Sequence, residues 1–264
     1  MPGVQPSDPT GVEAGVGEQH SAAKRHDEAT GRDDITRRYT ATATAATTGM
    51  NIRDLHRDLI ELHGRPSKTY SEDGVRQLLT TILSQNAADV QTARGLKDLF
   101  AAYPDYRAME AADHDELADV ISEVGLMNQK AERIRRSLQT IREETGGEYT
   151  LVFLDGMETD AAQAWLTDIK SVGSKTASVV LNFHFEKPTF AVDTYIERLA
   201  TRFGLLEPPT TAEQAHDVLN KLIPDDIKYS LHVLLISHGK DYCSAQNPDR
   251  ENLVCATYCD CEHC

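Results

Sequence analysis

The stretch from Trp165 to His184 reads WLTDIKSVGSKTASVVLNFH. Trp165, Leu166 and Ile169 continue an apolar face that begins at Ala162, and Ala177, Val180, Leu181 and His184 recur at the same helical spacing further on. Between the two runs lie Lys170, Ser171, Val172, Gly173 and Ser174, a turn-length interruption that contains a glycine. The pattern predicts a helix ending at Ile169, a tight hairpin, and a second helix starting near Lys175. Gly173 is expected to supply a positive φ at the turn. The start of the second helix offers unpaired backbone N–H groups, so Val172, Gly173, Ser174 and Thr176 form a candidate phosphate cradle. Contacts of that kind grip a nucleic-acid backbone without reading bases.

Working outward, apolar residues keep the helical period from Ile52/Leu55/Leu59/Leu62 through Ala131/Ile134/Leu138/Ile141 to Leu231/Leu234/Leu235/His238, and strand patterns are nearly absent. The expected fold is all-α with about ten helices. Tyr149 to Leu154 alone reads as extended, a loop segment before the next helix. Residues 1–49 are rich in Ala, Thr, Gly and Asp, with Ile35 and Tyr39 nearly the only large apolar side chains, and are expected to form a disordered tail. Met50 directly precedes the first helical run, so translation starting at Met50 is the alternative. No apolar run is long enough to span a bilayer, and the N-terminus lacks a secretory pattern, which predicts a soluble, cytoplasmic protein.

Acidic residues outnumber basic ones 42 to 27, for a net charge of -15. A field of that sign opposes binding to a polyanion. The opposition is removed if the carboxylates form a solvated surface suited to a high-salt, halophilic cytoplasm, where the Debye length falls to roughly 3 Å at 1 M salt. An ordinary acidic protein is the alternative.

Two side chains stand out chemically. Lys175 falls in the first turn of the second hairpin helix, where the positive end of the macrodipole disfavours an extra proton and leaves an amine able to attack carbon; a solvated lysine is the alternative. Downstream, PTFAVDTYIER from Pro188 to Arg198 runs an apolar segment into a helix with Asp193 at the N-cap. Capping alone explains an aspartate there. Capping is also compatible with catalysis, because a rigid helix start preorganises the carboxylate.

Taken together, the hairpin from Ile169 to Leu181 and the segment from Phe190 to Arg198 closely resemble the hairpin and Val-Asp-Thr segment of the endonuclease III family of helix-hairpin-helix DNA glycosylases. The resemblance runs from about Ile52 to the C-terminus. It implies two helical lobes: a six-helix barrel lobe over residues 67–187, which includes the helix-hairpin-helix, and a second lobe made of 50–66 with 188–264, with the active site between them. It also implies a bifunctional glycosylase and AP lyase, with Lys175 as the nucleophile that attacks C1′ and Asp193 as the acidic partner. The expected partner is double-stranded DNA bearing damaged bases, by analogy oxidised pyrimidines, or abasic sites; nothing calls for an oligomer. A G·T- or G·U-specific glycosylase and a non-catalytic DNA-binding module are the competing readings. Asn86 matches the polar wedge that fills the space left by a flipped base, with Gln85 beside it. Ser171 and Tyr195 depart from the family, standing where many members have Gly and several have His.

All five cysteines, Cys243, Cys255, Cys259, Cys261 and Cys264, lie in the last 22 residues, which favours metal ligation over disulfides. The family's usual group is a [4Fe-4S] cluster in a C-x6-C-x2-C-x5-C loop. Aligned on Cys243, the fourth ligand falls on Cys259, but the second and third fall on Arg250 and Leu253, which cannot ligate. Four of the five thiols are expected to hold the cluster, with zinc as the alternative.

Overall fold

In the computed structural model the described residues are 51–68, 71, 73–208 and 210–259. The expected tail, Met50, Cys261 and Cys264 lie outside them. All the described residues belong to one compact unit.

Twelve α-helices are present among the described residues: α1 Ile52–His63, α2 Gly74–Ser84, α3 Asp89–Ala102, α4 Tyr106–Ala111, α5 His114–Val120, α6 Met127–Glu144, α7 Thr159–Asp168, α8 Ser174–Phe183, α9 Thr194–Arg202, α10 Ala212–Leu222, α11 Lys228–Asp241 and α12 Leu253–Tyr258. These residues contain no strand, only an isolated bridge between Cys243 and Pro248. The all-α expectation therefore holds, with more helices than the periodicity shows. Two of the extra ones, α4 and α12, have six residues each, too few to display a period. A third, α3, buries Thr92, Gly95 and Leu99, a face too small and polar to register as apolar.

Tyr149 to Leu154 is a loop segment ahead of α7, as expected, but its second half is wound and not extended. Val152–Leu154 is a 3-10 turn. Leu151 and Leu154 point into the core while Val152 is 71% exposed, a three-residue spacing that mimics alternation in so short a window.

Side-chain caps start many of the helices. Asn51, Asp73, Asp105, Asp113 and Asp193 each accept a first-turn N–H, and Thr211 forms a capping box with Gln214. Part of the acidic excess is thus placed where the macrodipole favours negative charge.

Buried apolar side chains gather into two clusters. One joins α2 through α8 around Leu78, Ile82, Leu138 and Leu181. The other joins α1 with α9 through α12 around Leu55, Phe190, Leu199 and Leu235, and takes in Cys243 and Cys255. The chain passes from the first cluster to the second between α8 and α9, so that Lys175 stands on the last helix of one and Asp193 caps α9 of the other.

Within the first cluster Lys130 is fully buried, and its Nζ donates to Leu83 O and Val124 O, each at 2.8 Å. Burial pushes this ammonium's pKa down, with Arg133 adding to the effect. The bond to Leu83 O caps the end of α2 just ahead of Gln85 and Asn86, and the bond to Val124 O holds the turn that precedes α6. Lys130→Ala strands two buried carbonyls and opens a cavity; urea denaturation should show a loss of roughly 3 kcal/mol. A loss below about 1 kcal/mol would mean that water or a rearranged chain replaces the ammonium.

Candidate functional site

The hairpin forms as its sequence dictates. α7 ends at Asp168, Ser171 N and Val172 N both return to Ile169 O, and Val172 is buried as the apolar pin of the turn. α8 opens with Gly173 as N-cap, and Ala177 N closes the first turn on Gly173 O. The N–H groups of Ser174, Lys175 and Thr176 lie ahead of that first bond and face outward from the ladder. Gly173 has φ -89, so the expected positive φ is not used; the backbone conformation is one any residue adopts. A Cβ there would meet nothing within 4 Å. What the glycine provides is an uncovered backbone at the mouth of the helix.

Lys175 is exposed in that first turn. Asp193 is half-buried and caps α9, its Oδ1 accepting from Ile196 N at 2.8 Å, while Oδ2 stays out of that bond. Capping and a second, unengaged oxygen thus coexist in one carboxylate. Behind both lies His232 on α11, buried, with the edges of Phe183 and Phe190 against it and Nδ1 3.0 Å from Ala191 O. A carbonyl only accepts, so Nδ1 carries the proton. Burial lowers the His232 pKa to about 4, against the pull of the Asp193 charge and with the push of Lys175. The two candidate catalytic charges therefore converge on one neutral imidazole. Sequence reading missed His232 because it sits in the apolar stripe Leu231/Leu234/Leu235, where a histidine passes for core.

The two wedge candidates separate. Gln85 caps the end of α2, and its side chain is bound, accepting from Arg133 and donating through Nε2 to Thr176 Oγ1 at 3.3 Å. It ties α6 to the hairpin helix. Asn86 is exposed with φ +52, a left-handed conformation that asparagine tolerates better than most residues. Thr176 itself is buried, and its hydroxyl is engaged by Gln85. Nearby, Lys240 on α11 pairs with Asp89 at the start of α3, 2.7 Å apart.

The sulfur atoms of Cys243, Cys255 and Cys259 all lie within 4.8 Å of one another. Cys255 and Cys259 are four residues apart across α12 and its end, which puts them on one face, and Cys259 N bonds Cys255 O. Cys243 accepts from the Arg202 guanidinium at 3.0 Å, and His238 Nε2 is 3.3 Å from Cys255 Sγ. The Cys259 thiol's hydrogen bond and Arg202 hold the Cys243 pKa down to about 6, whereas burial pushes Cys255 up to about 12. Three converging sulfurs, one of them readily a thiolate, suit a thiolate-ligated metal group. Cys255 thus brings a sulfur to this group, whereas Arg250 and Leu253 offer none. Cys261 and Cys264 fall outside the described residues.

Residues 79–225 match the model of the HhH-GPD superfamily base excision DNA repair proteins. The chain is 32% identical over 209 residues to endonuclease III of Thermotoga maritima, covering 79% of this chain and 92% of that protein. It is 31% identical over 183 residues to endonuclease III of Escherichia coli strain K12, covering 69% and 82%. A solved structure of a trapped endonuclease III–DNA covalent intermediate superposes with a TM-score of 0.68 at 25% identity, over 79% of this chain and 94% of that one. A thermostable thymine-DNA glycosylase shares the fold at 18% identity, with a TM-score of 0.61 over 86% and 97%. Among the described residues no helix is long and apolar enough to cross a membrane.

The His232 imidazole gives this site an acid signature. Its folded pKa of about 4 lies below the ordinary 6.5, so the stability it contributes is whole above pH 6.5 and is lost as pH falls toward 4. His232→Gln keeps a donor for Ala191 O and removes the titration. Urea midpoints measured between pH 6.5 and 4 should fall less steeply in the variant, and equal slopes would count against a buried neutral imidazole.

Proposed function

The chain belongs to the endonuclease III family of the HhH-GPD base-excision repair superfamily, and from that premise we propose that it removes oxidised pyrimidines from duplex DNA and nicks the strand through an imine on Lys175. As a member of that family it is a DNA glycosylase and AP lyase that binds DNA.

The observation that carries the finer proposal is the pairing of an exposed amine at a helix start with a cap-held carboxylate that keeps one oxygen unengaged. In the reaction we envisage, the extruded nucleotide enters between α8 and α9. Lys175 Nζ bonds to C1′ as the glycosidic bond to the base breaks, and the departing base carries away the electron pair. Asp193 Oδ2 stabilises the positive charge that develops on the sugar and takes the proton that the amine sheds. Asp193 returns that proton to O4′ as the sugar ring opens to a protonated imine, which acidifies C2′; loss of the C2′ proton expels the 3′ phosphate and cuts the strand.

The outward N–H groups of Ser174, Lys175 and Thr176, with Val172 and the bare Gly173 beside them, would hold a backbone phosphate through partial charges, which a net-acidic protein can do without a basic surface. Asn86 would occupy the space vacated by the base, while Gln85, already bound to Arg133 and Thr176, would brace the loop. We assign residues 67–187 and the pair 50–66 with 188–264 to the two lobes, and take the enzyme to act as a monomer. A metal group held by Cys243, Cys255, Cys259 and a fourth thiol from Cys261 or Cys264, [4Fe-4S] in preference to zinc, would supply a structural cross-link and no chemistry at the sugar.

Incubation with abasic-site DNA and borohydride should give a covalent adduct that is absent in Lys175→Ala; an adduct of equal yield in the variant would transfer the role to another amine. Release of thymine glycol with no action on G·T or G·U pairs is the expected substrate pattern, and the reverse pattern would establish the mismatch enzyme instead. Purified protein should be coloured and contain iron. Colourless protein with stoichiometric zinc would replace the cluster by a tetrahedral ion.

A further inference from the structure

Between α8 and α9 the chain crosses from one apolar cluster to the other without regular structure, yet Thr189, Phe190 and Ala191 are buried. Buried backbone groups must find partners, and here side chains provide them. Asn182 Nδ2 donates to Thr189 O at 2.7 Å, Lys228 Nζ to Pro188 O at 2.8 Å, and His232 Nδ1 to Ala191 O. Thr189 Oγ1 in turn donates to Ser178 O at 2.8 Å.

Asn220 on α10 makes the most complete of these contacts. Its Oδ1 accepts from Phe190 N at 2.7 Å and its Nδ2 donates to Phe190 O at 2.9 Å, so one amide pairs both backbone groups of a single residue, as a neighbouring strand would. The same Nδ2 donates to His216 O at 2.9 Å and lies 3.4 Å from His216 Nε2, which is 2.8 Å from Ser178 Oγ. Ser178 is three residues beyond Lys175 on α8, and Phe190 is three residues before Asp193. The network therefore runs from one turn past the amine to just ahead of the carboxylate.

We propose that Asn220 is a positioning residue: through Phe190 it fixes where Asp193 stands relative to Lys175. The inference rests on the catalytic roles proposed above. Apolar packing alone would let the extended link slide, because it has little directional preference, whereas a two-point amide pairing admits one register. Asn220→Ala leaves Phe190 N–H and C=O buried and unpaired, and the link shifts to satisfy them. A displacement of about 1 Å in a catalytic group costs on the order of 100-fold in rate.

The two halves of the reaction depend on that position differently. Base removal needs Asp193 against the developing charge; an abasic site already presents an aldehyde, and Lys175 can shed its proton to water before adding to it, so trapping depends far less on where the carboxylate stands. In Asn220→Ala, single-turnover release of the preferred lesion should fall by roughly 10- to 100-fold. Borohydride trapping on abasic DNA and DNA affinity should stay within about 3-fold of the parent enzyme. In an Asp193→Asn background the same substitution should cost nothing further, since it acts only through the carboxylate. If Asn220→Ala does not fold, Asn220→Asp retains the acceptor for Phe190 N–H, loses the donor, and should show the same split. Equal loss of excision and trapping, unchanged excision in a folded variant, or an undiminished loss in the Asp193→Asn background would each overturn the proposal. Parent enzyme that neither excises nor cross-links would instead defeat the catalytic reading on which the proposal stands.

Discussion

A peptide group removed from water needs a hydrogen-bonding partner, and in this protein that requirement falls most heavily on the short link between the two helices that carry the candidate catalytic side chains. The link has no helix or sheet of its own. Side chains from α8, α10 and α11 therefore converge on it, Asn182 from one direction, Asn220 from another, Lys228 and His232 from a third. Each is a polar residue that would be costly in a core if it had nothing to bond. Bonded to the link, they hold the crossing between two apolar clusters in one register, between the helix that carries Lys175 and the helix that Asp193 caps. Most of that set is invisible to hydrophobic periodicity, because it occupies apolar faces without being apolar.

The same contrast shows what the sequence discloses. Helices with four or more apolar repeats, such as α6 and α11, are legible from spacing alone, and so is the hairpin, whose interruption by a glycine-bearing turn is local. Lys175 at a helix start and Asp193 at a cap follow from local rules as well. Gly173 is instructive in the other direction: glycine suggests a left-handed turn, but its φ is -89, and its use is the absence of a side chain. His232, Asn220 and Arg133 could not be found by local rules. Their partners are 41, 30 and 48 residues away, and only the packed chain brings them together.

Net charge and local field point in opposite directions. A charge of -15 repels DNA at long range, yet the contact surface proposed for the phosphate consists of backbone N–H groups at a helix start, whose positive partial charges are independent of composition. Several carboxylates are already held as helix caps or in ion pairs, as Asp89 is by Lys240 and Glu110 by Arg142. What remains is screened within a few ångströms at high ionic strength, roughly 3 Å at 1 M salt. The proposed phosphate contacts therefore require geometry at one helix start and no basic patch.

The thiol centre follows the same economy of spacing and geometry. A metal group responds to where sulfurs stand in space and is indifferent to the number of residues between them. Two of the usual ligand positions are lost to Arg250 and Leu253, but a six-residue helix starting at Leu253 presents Cys255 and Cys259 on one face and brings both to Cys243, which Arg202 already favours as a thiolate. Cys243 and Cys255 are also part of the apolar cluster that includes Phe190 and Leu199. A metal bound there would brace the lobe that presents Asp193, which makes its removal a question of stability and carboxylate placement, with the chemistry of the amine left intact.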